Sequence, residues 1–159
     1  MNVISFDKVN GPNGWLGNLS PHAIMFDNKK WNTSEALFQA LRFKNMDIRE
    51  IIRNEKSPMG AKMKAKKYKT EMSITPMSEE DLNNMRTCIK LKFTQNEKLT
   101  KLLLATGDRL IIENIGKRKG ARHEFWGARL INGKWEGKNV MGNLLMELRN
   151  VLSKEGPIA

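Results

Sequence analysis

Residues 31–43, Trp-Asn-Thr-Ser-Glu-Ala-Leu-Phe-Gln-Ala-Leu-Arg-Phe, restrict the fold more than any other part of the chain. Read as a helix at about 100° per residue, the stretch points Ala36, Leu37, Phe38, Ala40, Leu41 and Phe43 in almost every direction around the axis. A helix that is apolar nearly all round belongs inside the protein. Only Glu35, Gln39 and Arg42, at i, i+4 and i+7, share a narrow polar stripe. An unpaired buried carboxylate is strongly unfavourable. The stripe therefore faces either compensating partners in an internal ion-pair network, or a pocket.

What surrounds such a helix is bounded by composition. A chain of 159 residues suits one domain, 1–159, and 40% apolar residues supply a real core. The longest apolar runs, such as Leu102-Leu103-Leu104-Ala105, are far too short to span a bilayer. Met1 to Phe6 lacks the basic start and apolar core of a signal peptide, so a cytoplasmic location is expected. Cys88 is the single cysteine, which excludes an internal disulfide and a cysteine-built zinc site. With His22 and His123 the only histidines, no metal site is expected. The net charge of +11, from 28 basic against 17 acidic residues, points to a polyanionic partner: nucleic acid or a phosphorylated substrate. A surface that is basic only for solubility is the alternative.

Local signals divide the chain into many short elements. Val3–Phe6 reads as a strand, and Ile24–Phe26, Asp27-Asn28 and Lys29–Trp31 as a hairpin. Thr33 or Ser34 caps the Glu35 helix, Asp47 a second helix through Arg53, and Ser57-Pro58 a third. That third helix carries Lys62, Lys64, Lys66 and Lys67. Ser78-Glu79-Glu80-Asp81 resembles a capping box and opens a long helix to about Gln95. Asn96 caps the next helix, which stops at Gly107, and Arg109–Glu113 reads as a strand. Gly116–Arg122 is a basic loop, and Asn139 caps a last helix ended by Gly156-Pro157. The sum is an α+β domain, predominantly helical, with a few short strands.

In the long helix Leu82, Met85, Cys88, Ile89 and Phe93 form the apolar stripe, and Lys92 projects into the same arc. A lysine placed there snorkels to solvent, meets a carboxylate, or has its pKa lowered by desolvation. In the last case it becomes a nucleophilic amine suited to imine chemistry. Glu113, at the end of a strand, is a candidate partner for Arg42.

Several segments, in order along nearly the whole chain, resemble the NADAR (NAD- and ADP-ribose-related) family, which includes riboflavin-pathway N-glycosidases. Leu16-Gly17-Asn18-Leu19 is similar to its Phe-Ser-Asn-Phe segment, and residues 31–43 to its Trp-x-x-Ser-Glu-His-x-Phe-Gln-Ala-x-Lys-Phe helix. Lys92-Phe93-Thr94-Gln95-Asn96 and Phe125-Trp126-Gly127 fall in their expected places, and 137–149 resembles the C-terminal signature. The chain departs from the family pattern with Arg42 for its lysine, Ala36 for its histidine, and Ala128-Arg129 for its Asp-Gly. Arginine stays protonated, so Arg42 suits anion binding and not imine formation.

The resemblance implies cleavage of an N-glycosidic bond to a ribose, without a cofactor. The substrate would be an ADP-ribosyl conjugate, such as ADP-ribosylated guanine in DNA or RNA, or a riboflavin-pathway ribosylamino-pyrimidine phosphate. A binding module without catalysis is the reading from a different class. Glu35 and Lys92 are then the catalytic candidates, with Asn18, Gln39, Arg42, Glu113, Trp126 and Gly127 as substrate-binding candidates. Lys64, Lys67, Lys117, Arg118 and Lys119 are candidates for contacting nucleic-acid phosphates.

Overall fold

A computed structural model describes residues 2–155. In chain order the elements are β1 (Val3–Phe6), β2 (Ile24–Phe26), β3 (Lys29–Trp31), α1 (Ser34–Leu41), α2 (Met46–Arg53), α3 (Pro58–Lys67), α4 (Glu79–Thr94) and α5 (Glu97–Ala105). After these come β4 (Leu110–Glu113), α6 (Ala121–Trp126), β5 (Arg129–Ile131), β6 (Lys134–Glu136) and α7 (Val140–Glu155). The α+β, mainly helical architecture agrees with the sequence reading. Two compact units make up the chain: a continuous one, Asn18–Gln95, and one built from the segments before and after it.

In the continuous unit β2 and β3 pair antiparallel, with Ile24 opposite Trp31. Asp27 and Asn28 turn the hairpin at φ 54° and 60°, the left-handed geometry that two-residue turns require and these residues tolerate. Thr33, not Ser34, caps α1, its hydroxyl accepting the Ala36 N–H at 3.1 Å. All eight residues of α1 are buried, because α2, α3 and α4 all pack against it. The helix is shorter than its apolar pattern suggests: Trp31 ends β3, and Arg42 is already the C-cap. Asn45 caps α2 by accepting from the N–H groups of Asp47 and Ile48, so Asp47 sits in the first turn and is not the cap. Ser57 and Ser78 cap α3 and α4 as their sequences predict.

In the other unit β1 and β4 run parallel, Val3 opposite Leu110 through Phe6 opposite Glu113. Helix α7 packs on β4, with Gly142 so close to Ile111 that an added Cβ would lie 2.1 Å from its carbonyl oxygen. Asn139 does not cap α7 with its side chain. It braces β4 instead, Oδ1 accepting the Glu113 N–H at 3.0 Å and Nδ2 donating to the Ile111 carbonyl at 2.8 Å. Gly156-Pro157, expected to end α7, lies outside the described residues.

Two features differ from the sequence reading. Helix α6 begins at Ala121, within the stretch read as a basic loop. The β5–β6 hairpin turns at Asn132-Gly133, φ 49° and 79°. An Asn-Gly pair is the strongest short-range hairpin signal. Among the described residues no helix is long and apolar enough to cross a membrane.

Candidate active site

Helix geometry places Gln39 one turn beyond Glu35 on the same face of α1. The Glu35 carboxylate is buried, at 7% exposure, and two neutral amides hold its two oxygens. Asn18 Nδ2 donates to Oε2 at 2.8 Å, and Gln39 Nε2 donates to Oε1 at 3.0 Å. Asn18 is itself fastened at the start of the unit. Its Oδ1 accepts a short hydrogen bond from the Ser34 hydroxyl, and its carbonyl accepts the Glu35 N–H at 3.2 Å. The carboxylate is thus desolvated yet held without spending its charge on Arg42.

Arg42 finds its counter-ion on α4. Its Nε and Nη2 donate to Oδ1 and Oδ2 of Asp81 at 2.9 and 2.8 Å, a bidentate pair in which Asp81 is wholly buried. The guanidinium also lies 4.6 Å from the centre of the Phe38 ring. Asp81 is thus a counter-ion of Arg42 where the sequence reading offered Glu113. Asp81 also accepts the Met77 N–H at 2.8 Å, from a residue whose φ of 66° is costly for a side chain without local hydrogen bonding.

The sequence reading used Asp81 only as a first-turn acid of α4. Its spacing carried the missing signal: Asp81, Met85, Cys88 and Lys92 recur at four, three and four residues, one face of a helix. All four are buried. Helices α1 and α4 meet in opposite directions along this face. Arg42 meets Asp81 at one end, and Met85 reaches Asn18 Nδ2, the donor to Glu35, at 3.5 Å further along.

Lys92 does not snorkel; it is 1% exposed. Desolvation by burial pulls its pKa down from 10.5 to about 7. The folded chain thus holds this amine neutral over a pH range where the unfolded chain holds it protonated. Unfolding stability should rise as pH increases from about 7 towards 10.5, relative to a Lys92→Met variant in which that slope is removed. Denaturant titrations at several pH values measure the difference, and parallel profiles for the two proteins would contradict the assignment. Burial also raises the Cys88 thiol well above its ordinary range, with the Glu35 and Asp81 charges adding to the effect, so Cys88 stays a thiol at neutral pH.

The remaining candidates gather in the other unit. Glu113 ends β4, and its carbonyl accepts the Ala128 N–H at 2.9 Å. An added Cβ at Gly127 would lie 2.5 Å from the Glu113 carbonyl oxygen and 3.2 Å from its carboxylate oxygen Oε2. Close approach of backbones demands the glycine here. Trp126, half-buried at the end of α6, meets Phe125 edge-to-face at 4.9 Å. Glu113, Trp126 and Gly127 thus belong to one unit, and Asn18, Glu35, Gln39 and Arg42 to the other.

Of the basic candidates, Lys67, Lys117 and Lys119 are exposed, while Lys64 lies 3.7 Å from Glu55. Arg118 is tied into its own unit. It pairs with Asp7 at 2.8 Å and donates to the Asn114 carbonyl at 3.0 Å.

Comparison with known proteins adds a family to this geometry. The sequence model of the NADAR domain matches residues 5–153. The chain is 34% identical over 154 residues to N-glycosidase YbiA of Escherichia coli, covering 96% of this chain and 90% of that protein. It is 30% identical to N-glycosidase Npun_R5314 of Nostoc punctiforme, covering 97% of each. The riboflavin biosynthesis protein PYRR of Zea mays is 30% identical, over 94% of this chain but 25% of that longer protein. The NMR structure of YbiA superposes with a TM-score of 0.75 at 32% identity, covering 97% of this chain and 86% of that one.

Proposed function

This chain belongs to the NADAR domain family, and on that premise we propose that it is an N-glycosidase that hydrolyses a base–ribose bond, with Glu35 as its principal catalytic group. The observation that carries the reading is the Glu35 carboxylate: buried, and held at both oxygens by Asn18 and Gln39. Cleavage of an N-glycosidic bond develops positive charge at the anomeric carbon. A fixed carboxylate in a water-poor setting opposes that charge without reorganising as the bond breaks. The same group can position a water or move a proton. Asn18 and Gln39 set its orientation, and Glu113, Trp126 and Gly127 are proposed to contact substrate, Trp126 by stacking on the base.

Lys92 is the second catalytic candidate, because its lowered pKa leaves about half the amine unprotonated near neutral pH. The amine would attack the anomeric carbon, the base would leave with a proton, and opening of the ring would give an imine that water hydrolyses. Borohydride added during turnover should then trap an adduct on Lys92, detected by mass spectrometry, and Lys92→Arg should abolish it. Turnover with no trappable adduct assigns the reaction to water positioned by Glu35.

The substrate we propose is an ADP-ribosyl conjugate, such as ADP-ribosylated guanine in DNA or RNA. A net charge of +11 and the exposed lysines Lys67, Lys117 and Lys119 support it. Release of free ADP-ribose or free base from a modified oligonucleotide is the deciding assay. Charge reversal at Lys64, Lys67, Lys117 and Lys119 should weaken oligonucleotide binding and flatten its salt dependence, by roughly one unit of slope for each lost phosphate contact. No measurable binding by the wild type at low salt would make the charge a solubility feature. The names of the riboflavin-pathway relatives favour a second reading, a ribosylamino-pyrimidine phosphate as substrate. Turnover of that metabolite and not of the conjugate would select it. Binding without turnover of either would select a non-catalytic module.

A further inference from the structure

We infer that the buried Arg42–Asp81 pair positions the catalytic carboxylate: it fixes the side-chain amide of Gln39 so that its NH2 group, never its carbonyl, faces Glu35. The inference rests on the role proposed above for Glu35.

A primary amide is ambiguous by shape, since its oxygen and nitrogen ends nearly superimpose. At Gln39 the ambiguity matters. With its oxygen turned to Glu35, the amide would oppose a carboxylate with a second acceptor and leave Oε1 of Glu35 without this donor. What decides the orientation lies on the far side. Arg42 Nη1 donates to Gln39 Oε1 at 3.4 Å, while Gln39 Nε2 donates to Glu35 Oε1 at 3.0 Å. A guanidinium has five donors and no acceptor, so it can only hold the oxygen end of Gln39. The nitrogen end is then forced towards Glu35.

Asp81 holds Arg42 in place. Its two oxygens take the Nε and Nη2 edge of the guanidinium, which turns Nη1 towards Gln39. Asp81 is in turn secured by the Met77 N–H and by its place in the Ser78-capped first turn of α4. On the opposite side of Glu35 a second amide is held by a hydroxyl. The Ser34 hydroxyl donates to Asn18 Oδ1, and Asn18 Nδ2 meets Glu35 Oε2. Both amides thus present an NH2 group to the carboxylate, and at Gln39 a donor-only group enforces that orientation. Arg42 acts through Gln39 as a positioning residue.

The test separates positioning from mere structural support. Arg42→Met combined with Asp81→Asn removes the charges together, so that neither is left buried alone. Side-chain amide resonances of Gln39 report the lock directly. In the wild type its NH2 protons should be protected from exchange, and in the double variant they should lose that protection while a cooperative unfolding transition persists. On the substrate that the wild type turns over, kcat should fall at least tenfold with KM changed less than about threefold. Arg42→Lys, which keeps a donor-only cation beside Asp81 and Gln39, should recover most of that loss. A double variant with wild-type kcat, or an unchanged Gln39 amide signal, would overturn the inference. Should the wild type turn over no ribosyl conjugate, the proposed function fails, and the amide measurement still decides whether the lock exists.

Discussion

Replacing Glu35 with glutamine should lower turnover at least about a hundredfold, the low end for loss of a general acid–base group. The substitution changes shape hardly at all, so the expected loss comes from two electronic effects. First, the negative charge that opposes the developing oxocarbenium ion disappears. Second, the new amide has one oxygen and one NH2, but it meets two donors, Asn18 Nδ2 and Gln39 Nε2. One donor–donor contact results whichever way it turns, and the group loses its fixed orientation. The measurement is single-turnover release of base or sugar, which isolates chemistry from product release. Near-normal turnover by Glu35→Gln would remove this residue from the reaction. Glu35→Asp is the useful companion, since it keeps the charge but withdraws it by one methylene. Its rate should fall between the two.

Asp81→Ala should destabilise the fold by about 3–5 kcal/mol, because it strands the Arg42 guanidinium in a buried setting. Wild-type Asp81 is fully buried and accepts three of the hydrogen bonds that organise the α1–α4 contact: two from Arg42 and one from Met77. A truncation therefore leaves a cation and a backbone N–H unsatisfied together, which is why the effect should exceed that of an ordinary core deletion of this size. Urea titration checks it. A change below about 1 kcal/mol would mean that water enters to solvate Arg42, and the pair would count as surface-like. Removing both charges, as in the double variant above, should be much less damaging than Asp81→Ala. That ordering separates the cost of a stranded charge from any net worth of the pair.

The chain's own pattern determined a good deal. Capping residues, turn pairs and apolar periodicity act within a few residues, so they located β1, the β2–β3 hairpin, Ser57 and Ser78 as caps, and the buried character of α1. The same period put Lys92 on an inward face, and burial there is nearly complete. Where two local signals competed, the pattern erred by a residue or two. Asn45 outcompeted Asp47 because its side chain reaches two orphan N–H groups at once. Asn139 looked like a cap, but β4 offers its amide both a donor and an acceptor, so it braces the strand instead.

Only the tertiary structure decided what the polar stripe of α1 meets. Periodicity can show that Glu35, Gln39 and Arg42 share a face, but not which partner comes from a segment 39 positions away, as Asp81 does for Arg42. The sequence offered Arg42 one candidate acid, Glu113, and gave Asp81 only as a first-turn acid of α4. That Asp81 is the acid it meets depends on how α1 and α4 align, a property of their packed faces and not of any short motif. Once that alignment places Asp81 at the Arg42 end, the arginine's charge is met by Asp81, and Glu35 is left to two neutral amides. The residues of the site were legible because each helix face is a local property. Their pairing was not, because it belongs to the interface between faces.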